Sequence, residues 1–287
     1  MKKNISIVLI GAGKVGTVLS KKLYEKGYNF VGIIDLDLNK ARNLAKKVKA
    51  ALFSNEIKDI PKEANFIIIS VPDSQIKVVS KKISKLPLQF NSLKVCHVSG
   101  CLSSDELKPI KNRGSIVFSM HPYQSFPDTK NTKNLDSIYY GIEGEKTLFA
   151  KKIVKALEGN YIIIPKNLKS LYHVSGAFAS NYLLVLLSVV NNILYHIIGN
   201  KKKAKGIFKP ILENTLHNYF NTDFKNSITG PIVRGDAITV EKHLKALKKY
   251  DKNIYDLYKK FGQILLEEIE GNLSRKNNYK KILKLLA

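Results

Sequence analysis

A chain of 287 residues with 44% hydrophobic content has room for one large domain or two ordinary ones, each with a real core. A formal net charge of +25 would ordinarily point to nucleic acid or an anionic membrane. Only four of the 48 basic residues are Arg, though, and the lysines are scattered through every segment without a basic stripe or interleaved aromatics. Specific nucleic-acid binding is therefore set aside, and the positive field is expected to draw in a small anionic substrate.

Ile5 to Ile10 is a β-branched run that leads straight into Gly11, Gly13 and Gly16. From Thr17 to Gly27, Val18, Leu19 and Leu23 fall at helical spacing, so the glycine turn hands over to a helix. Gly-x-Gly-x-x-Gly between strand and helix is the dinucleotide fingerprint: one glycine for the tight turn, one for close approach of a pyrophosphate, one for packing helix on strand. Gly11, Gly13, Lys14, Val15 and Gly16 are thus the expected phosphate cradle, with free N–H groups at the helix start meeting the anion. A second strand, Phe30 to Ile34, ends in Asp35, about 20 residues on, where a carboxylate would bond the ribose hydroxyls. Asp35 favours NAD. Lys40 and Arg42 lie close enough to accept a 2′-phosphate, so the expected cofactor is NADP or NAD.

A helix over 39–49 and a short apolar stretch over 50–53 precede the strongest strand, Phe66 to Val71, which Pro72 stops. Ligands sit beyond the carboxyl ends of such strands, so Val71, Pro72 and Asp73 are expected beside the cofactor. The next strand, Lys94 to Val98, delivers His97, Ser99 and Gly100; the one after, Ser115 to Met120, delivers His121 and Pro122. Reduction of a carbonyl or imine by a nicotinamide needs a proton beside the new charge, and a histidine of ordinary pKa suits that task. His121 and Ser99 are the first catalytic candidates. Ser99 reads equally well as the N-cap of a helix near Ser104 to Leu107, and His97 reads as core or as site. Further strands are expected at Tyr139 to Ile142 and Tyr161 to Ile164, with a helix from Glu145 to Leu157 between them.

Beyond Pro165 the pattern turns helical, over 171–198, 204–220, 239–248, 253–270 and 278–286. The expected organisation is α/β: a Rossmann doubly wound sheet over 1–166, then an all-helical domain for substrate binding and dimerisation over 167–287. On the first long helix His173, Ser180 and Asn181 are seven and eight apart, hence on one face, and are read as site residues. Arg234 is a planar, bidentate donor in a chain that otherwise uses lysine, matching either a substrate carboxylate or Asp236. The longest apolar run, from Tyr182 to Val190, is taken as broken at Asn191 and Asn192, so no membrane span is expected. Met-Lys-Lys-Asn opens onto a strand, so neither is a signal peptide, and the expected location is cytoplasmic. Cys96 and Cys101 are read as bystander thiols, with no metal site.

The strings His97-Val98-Ser99-Gly100, Ser119-Met120-His121-Pro122, His173 to Asn181 and Thr229 to Asp236 together resemble the Rossmann-like, DUF2520-type oxidoreductases. More broadly the chain is similar to the 6-phosphogluconate dehydrogenase superfamily, with its prephenate dehydrogenases, pyrroline-5-carboxylate reductases and ketopantoate reductases. The resemblance implies a Rossmann half, a helical half that dimerises, and NAD(P)H-dependent reduction of a small carboxylated 2-oxo or imine compound, ketopantoate first. Prephenate dehydrogenase-like and pyrroline-5-carboxylate reductase-like enzymes are the alternatives, and a non-catalytic dinucleotide sensor is the reading from another class. Prephenate dehydrogenases match at Ser99 and at His121-Pro122, where their counterparts hold the reacting oxygen. Related dehydrogenases carry a Lys-x-x-x-Asn pair on the long helix; Asn181 fits its second member, whereas Ala177 stands where the lysine would be.

Overall fold

The computed structural model describes residues 5–269 and 277–287. Met-Lys-Lys-Asn, Glu270 as the expected end of a helix, and Arg275 lie outside them. Eight strands form one sheet in the order β3-β2-β1-β4-β5-β6-β7-β8. They are β1 (Ser6–Ile10), β2 (Asn29–Ile34), β3 (Leu52–Ser54), β4 (Phe66–Ile69), β5 (Lys94–His97), β6 (Ile116–Pro122), β7 (Tyr139–Glu143) and β8 (Asn160–Ile163). Every neighbouring pair is parallel except β6 with β7. Helices α1 (Lys14–Glu25), α2 (Leu38–Val48), α3 (Asp73–Ile83), α4 (Lys108–Lys111) and α5 (Leu148–Ala156) connect the strands.

Alternation along the strands builds two cores. In β4, Phe66 and Ile68 join one buried cluster with Ile7, Leu9, Cys96 and Phe118, while Ile67 and Ile69 join another with Val8, Ile10, Val95 and Val117. A strand covered on both faces reads as continuously apolar, which is why the isoleucine run marked the centre of the sheet.

The chain then becomes helical: α6 (Lys169–Ala177), α7 (Leu183–Ile198), α8 (Lys201–Asn221), α9 (Phe224–Ser227), α10 (Ala237–Tyr250), α11 (Lys252–Ile269) and α12 (Asn277–Leu286). Two compact units result, 1–182 and 183–287, so α6 goes with the sheet. In the second unit Ile232, Val240 and Leu244 pack with Leu266, Ile282 and Leu286 into a separate core.

Two expectations about the long helix need correction. A π-helical turn, Phe178–Tyr182, interrupts it, so the regular spacing that put His173 on one face with Ser180 and Asn181 does not hold. Conversely, the helix expected over 171–198 does run on through Asn191 and Asn192, because asparagine weakens a helix without removing a backbone donor, and what needs correction is the reading that these two residues break the apolar run. Lys166–Ile198 is therefore long and apolar enough to cross a membrane by length and composition, at a mean hydropathy of 1.6, and none of that apolar window is buried.

Candidate active site

The three glycines occupy the positions their physics demands. Gly11 has φ +99°, and a Cβ there would stand 2.3 Å from the Ser70 carbonyl oxygen. A Cβ on Gly16 would stand 2.3 Å from the Gly11 carbonyl oxygen, so this glycine lets α1 close on the turn. Around Gly13 there is only open space, as a pyrophosphate requires. Helix α1 begins at Lys14 rather than near Thr17, so Lys14, Val15 and Gly16 form its first turn, and no side chain caps it. Its leading N–H groups are left for an anion, whereas Asp37 caps the first turn of α2. The residues thus fit a bound dinucleotide, which would supply a hydride donor at this sheet edge.

Asp35 departs from its expected ribose role in one respect. One of its oxygens accepts from the Ala12 N–H at 2.6 Å and the other from the Asp37 N–H at 2.8 Å, so the carboxylate braces the glycine turn. Lys40 lies 3.7 Å from Asp37, and the Arg42 guanidinium stacks over Phe53.

From the glycines a chain of contacts runs along the carboxyl ends of the strands. Ile10 pairs beside Ile69, Ile69 beside His97, and His97 beside Ser119. Ser70, packed on Gly11 and Gly16, leads through Val71 and Pro72 to Asp73, whose carboxylate accepts from the Ser99 hydroxyl at 2.9 Å. Ser99 in turn accepts from the Cys101 and Leu102 N–H groups, which shapes the loop after β5. Ser99 is not the N-cap of the following short helix. Ser103 does that, accepting from the Asp105 N–H.

Gly100 is where the site closes. A Cβ on it would lie 2.6 Å from His173 Cδ2 and 2.9 Å from both Cε1 and Nε2 of His121, so two imidazoles crowd one α-carbon. Their ring centroids are 5.9 Å apart. His121 lies within β6, opposite Gly141 of β7, not beyond a strand end as expected; the antiparallel pairing with β7 extends the strand to Pro122. Its Nδ1 is 2.9 Å from the Tyr172 phenol oxygen. Burial, with the charge of Lys169 and the neighbouring His173 and His97, pushes the His121 pKa down to about 3. The imidazolium that a general acid would need is thus disfavoured, because this ring is desolvated beside a cation.

His97 is fully buried, donates from Nε2 to the Ser103 carbonyl and accepts from the Ser99 N–H at Nδ1; burial above all lowers its pKa, to about 4. Both its nitrogens are committed, so it supports the loop. Ser180 donates to the Gly176 carbonyl and lies 3.4 Å from Asn181, and no hydrogen bond joins either residue to His121 among the described residues. Arg234 is exposed in the second unit and makes no ion pair among the described residues; Asp236 directs its two oxygens to Thr239.

Sequence reasoning missed Lys169, Tyr172 and Gly100. Lys169 is 1% exposed, and its Nζ donates to the Ser99 carbonyl and to Ser119 Oγ, both at 3.0 Å, tying α6 to β6 and to the loop after β5. Burial pulls its pKa down to about 8, with Glu143 opposing. Lys169, Tyr172 and His173 stand at i, i+3 and i+4, one helical face, and that spacing was the available signal.

Residues 1–122 match the Rossmann-like domain model, and residues 138–264 match the domain of unknown function DUF2520. The chain joins a Rossmann-like domain to a DUF2520 domain. A Bacteroides fragilis protein provisionally named an NADP oxidoreductase shares the fold at a TM-score of 0.76 and 22% identity, over 93% of this chain and 100% of that one. A protein from Thermotoga maritima is 26% identical at a TM-score of 0.70, over 92% of this chain and 98% of its own. Pyrroline-5-carboxylate reductase from Coxiella burnetii has the same fold at a TM-score of 0.58 and 15% identity, covering 92% of this chain and 97% of that one. Among curated proteins, glutamyl-tRNA reductase from Methanosphaera stadtmanae is 26% identical over 229 residues, 70% of this chain. The chain spans 55% of the length of that relative.

Proposed function

We propose that this Rossmann-like, DUF2520 chain is an NAD(P)H-dependent oxidoreductase that reduces a small carboxylated 2-oxo or imine substrate, with ketopantoate to pantoate as the leading case. One observation carries the reading: an unbroken line of contacts from the glycine turn through Ser70, Asp73 and Ser99 to His121 and His173 across Gly100. It supports a dinucleotide laid along the strand ends with its reactive ring near the two histidines. Similarity to proteins named NADP oxidoreductase and pyrroline-5-carboxylate reductase supports the reaction class.

In this reading a bound reduced nicotinamide supplies the hydride. Asp73 and Ser99 hold the loop that borders the ring, Lys169 anchors that loop from behind, and His121 and His173 face the substrate oxygen or nitrogen. Asn181 and Ser180 on the π-turn are proposed substrate contacts. The partner molecules are a small anionic substrate and a second copy of the chain through its helical half, with neither specific nucleic acid nor membrane involved.

The test is NADH and NADPH oxidation with ketopantoate, pyrroline-5-carboxylate and prephenate. Turnover is expected with one of the first two, and His121→Ala is expected to lower kcat by about 10²–10³, the usual loss for one donor to a developing oxyanion. Calorimetric cofactor binding without turnover of any substrate would favour the dinucleotide-sensor reading instead.

A further inference from the structure

We propose that Tyr172 is a positioning residue that fixes the tautomer of His121, leaving the imidazole neutral with its proton on Nε2 so that it offers an N–H to the substrate. The proposal rests on the reading of His121 as part of the reduction site.

The phenol oxygen lies 2.9 Å from Nδ1, with the two rings nearly perpendicular at 89°. The backbone of Gly141, the residue paired opposite His121 across the β6–β7 ladder, lies against that oxygen. Burial raises the phenol's pKa, so it keeps a proton to give, and Nδ1 is the acceptor within reach. A neutral imidazole whose Nδ1 accepts must carry its proton on Nε2. Gly141 makes the seat: a Cβ there would stand 2.6 Å from Cζ and from the phenol oxygen.

The other nitrogen is placed differently. Nε2 faces the Gly100 α-carbon together with His173, and no hydrogen bond to it is present among the described residues. Its N–H is therefore presented to the loop edge where the substrate oxygen is proposed to sit.

The surroundings oppose the imidazolium from every side. Lys169 and His173 of α6 and His97 of β5 face the ring, and Tyr172 packs against Tyr123 with ring centroids 5.2 Å apart and planes tilted by 40°. An imidazolium would donate from both nitrogens and leave the phenol proton without its acceptor. The arrangement suits a neutral donor that stabilises charge developing on oxygen while keeping its own proton.

The experiment is long-range 1H–15N NMR of the full-length, 15N-histidine-labelled protein, with the His121 signals assigned by their loss in His121→Asn. The wild-type spectrum is expected to show Nδ1 unprotonated and Nε2 protonated, unchanged between about pH 5 and 8. Tyr172→Phe, which retains the ring packing, is expected to mix the two tautomers. If the chain turns over substrate, the same variant is expected to lower kcat roughly 10–100-fold, the usual range for loss of an orienting partner, with cofactor KM unchanged. A protonated Nδ1 or an imidazolium in the wild type at neutral pH would overturn the proposal. So would a Tyr172→Phe spectrum identical to the wild type. The spectrum reads the tautomer whether or not a substrate is turned over, so failure of the reductase reading leaves a distinct result.

Discussion

Gly100 joins sequence to chemistry through an absent atom. Its α-carbon is the surface on which His121 and His173 meet, and contacts of 2.6–2.9 Å from an added Cβ are closer than real side chains sustain. Its backbone has no positive φ, so alanine is conformationally acceptable there and the conflict is confined to the two rings. Gly100→Ala is expected to retain the thermal midpoint within a few degrees while turnover falls about 10²-fold, as follows from displacing reacting groups by about 1 Å. Melting curves measured beside steady-state rates check this. Wild-type kcat in a folded Gly100→Ala protein would mean that the imidazoles are free to move without consequence.

At the scale of elements, α7 carries the next prediction. Leu184, Val185 and Ile197 are 65%, 55% and 69% exposed, a concentration of apolar surface beyond what an isolated helix leaves in water. A second copy is expected to cover it, giving sedimentation at twice the 32.3 kDa chain mass and recovery in the soluble fraction. Recovery with membranes would show that lipid covers Lys166–Ile198 instead, and a stable monomer would remove both. The elements were also where the sequence was most legible. Apolar runs and glycine-to-helix punctuation are local signals, so the phosphate turn and every strand but β3 could be read directly, whereas the three residues of β3 read only as a short apolar stretch. The pairing of β6 with β7 is a non-local event, and only that pairing draws His121 into the strand and sets Gly141 under Tyr172. The π-turn at Phe178–Tyr182 likewise has no local mark, since Ser180 bonding back to Gly176 looks in sequence like an ordinary helical serine. Lys169 was passed over because a lysine in so basic a chain reads as surface, although its spacing from Tyr172 and His173 was helical.

For the molecule as a whole, the buried histidines tie stability to pH. His97 has a pKa near 4 in the folded first unit and, on unfolding, returns to the ordinary value near 6.5; His121 is shifted the same way, to about 3. Between these values the unfolded chain binds more protons than the folded one, so stability rises with pH through that window and is lost as pH falls from about 6.5 toward 4. For His97 alone the loss amounts to about 3 kcal/mol once pH is below about 4, a large share of a typical domain's margin. The opposite behaviour would follow if a carboxylate faced these rings, but Lys169 is the charge beside both, and its cation adds to the penalty rather than offsetting it. Urea midpoints of the first unit measured from about pH 7 to 4 are therefore expected to fall steadily, and His97→Gln, which removes a titrating group, is expected to flatten the decline. Parallel curves for the two proteins would show that His97 is already protonated when folded, with the Ser103 and Ser99 hydrogen bonds rearranged around it.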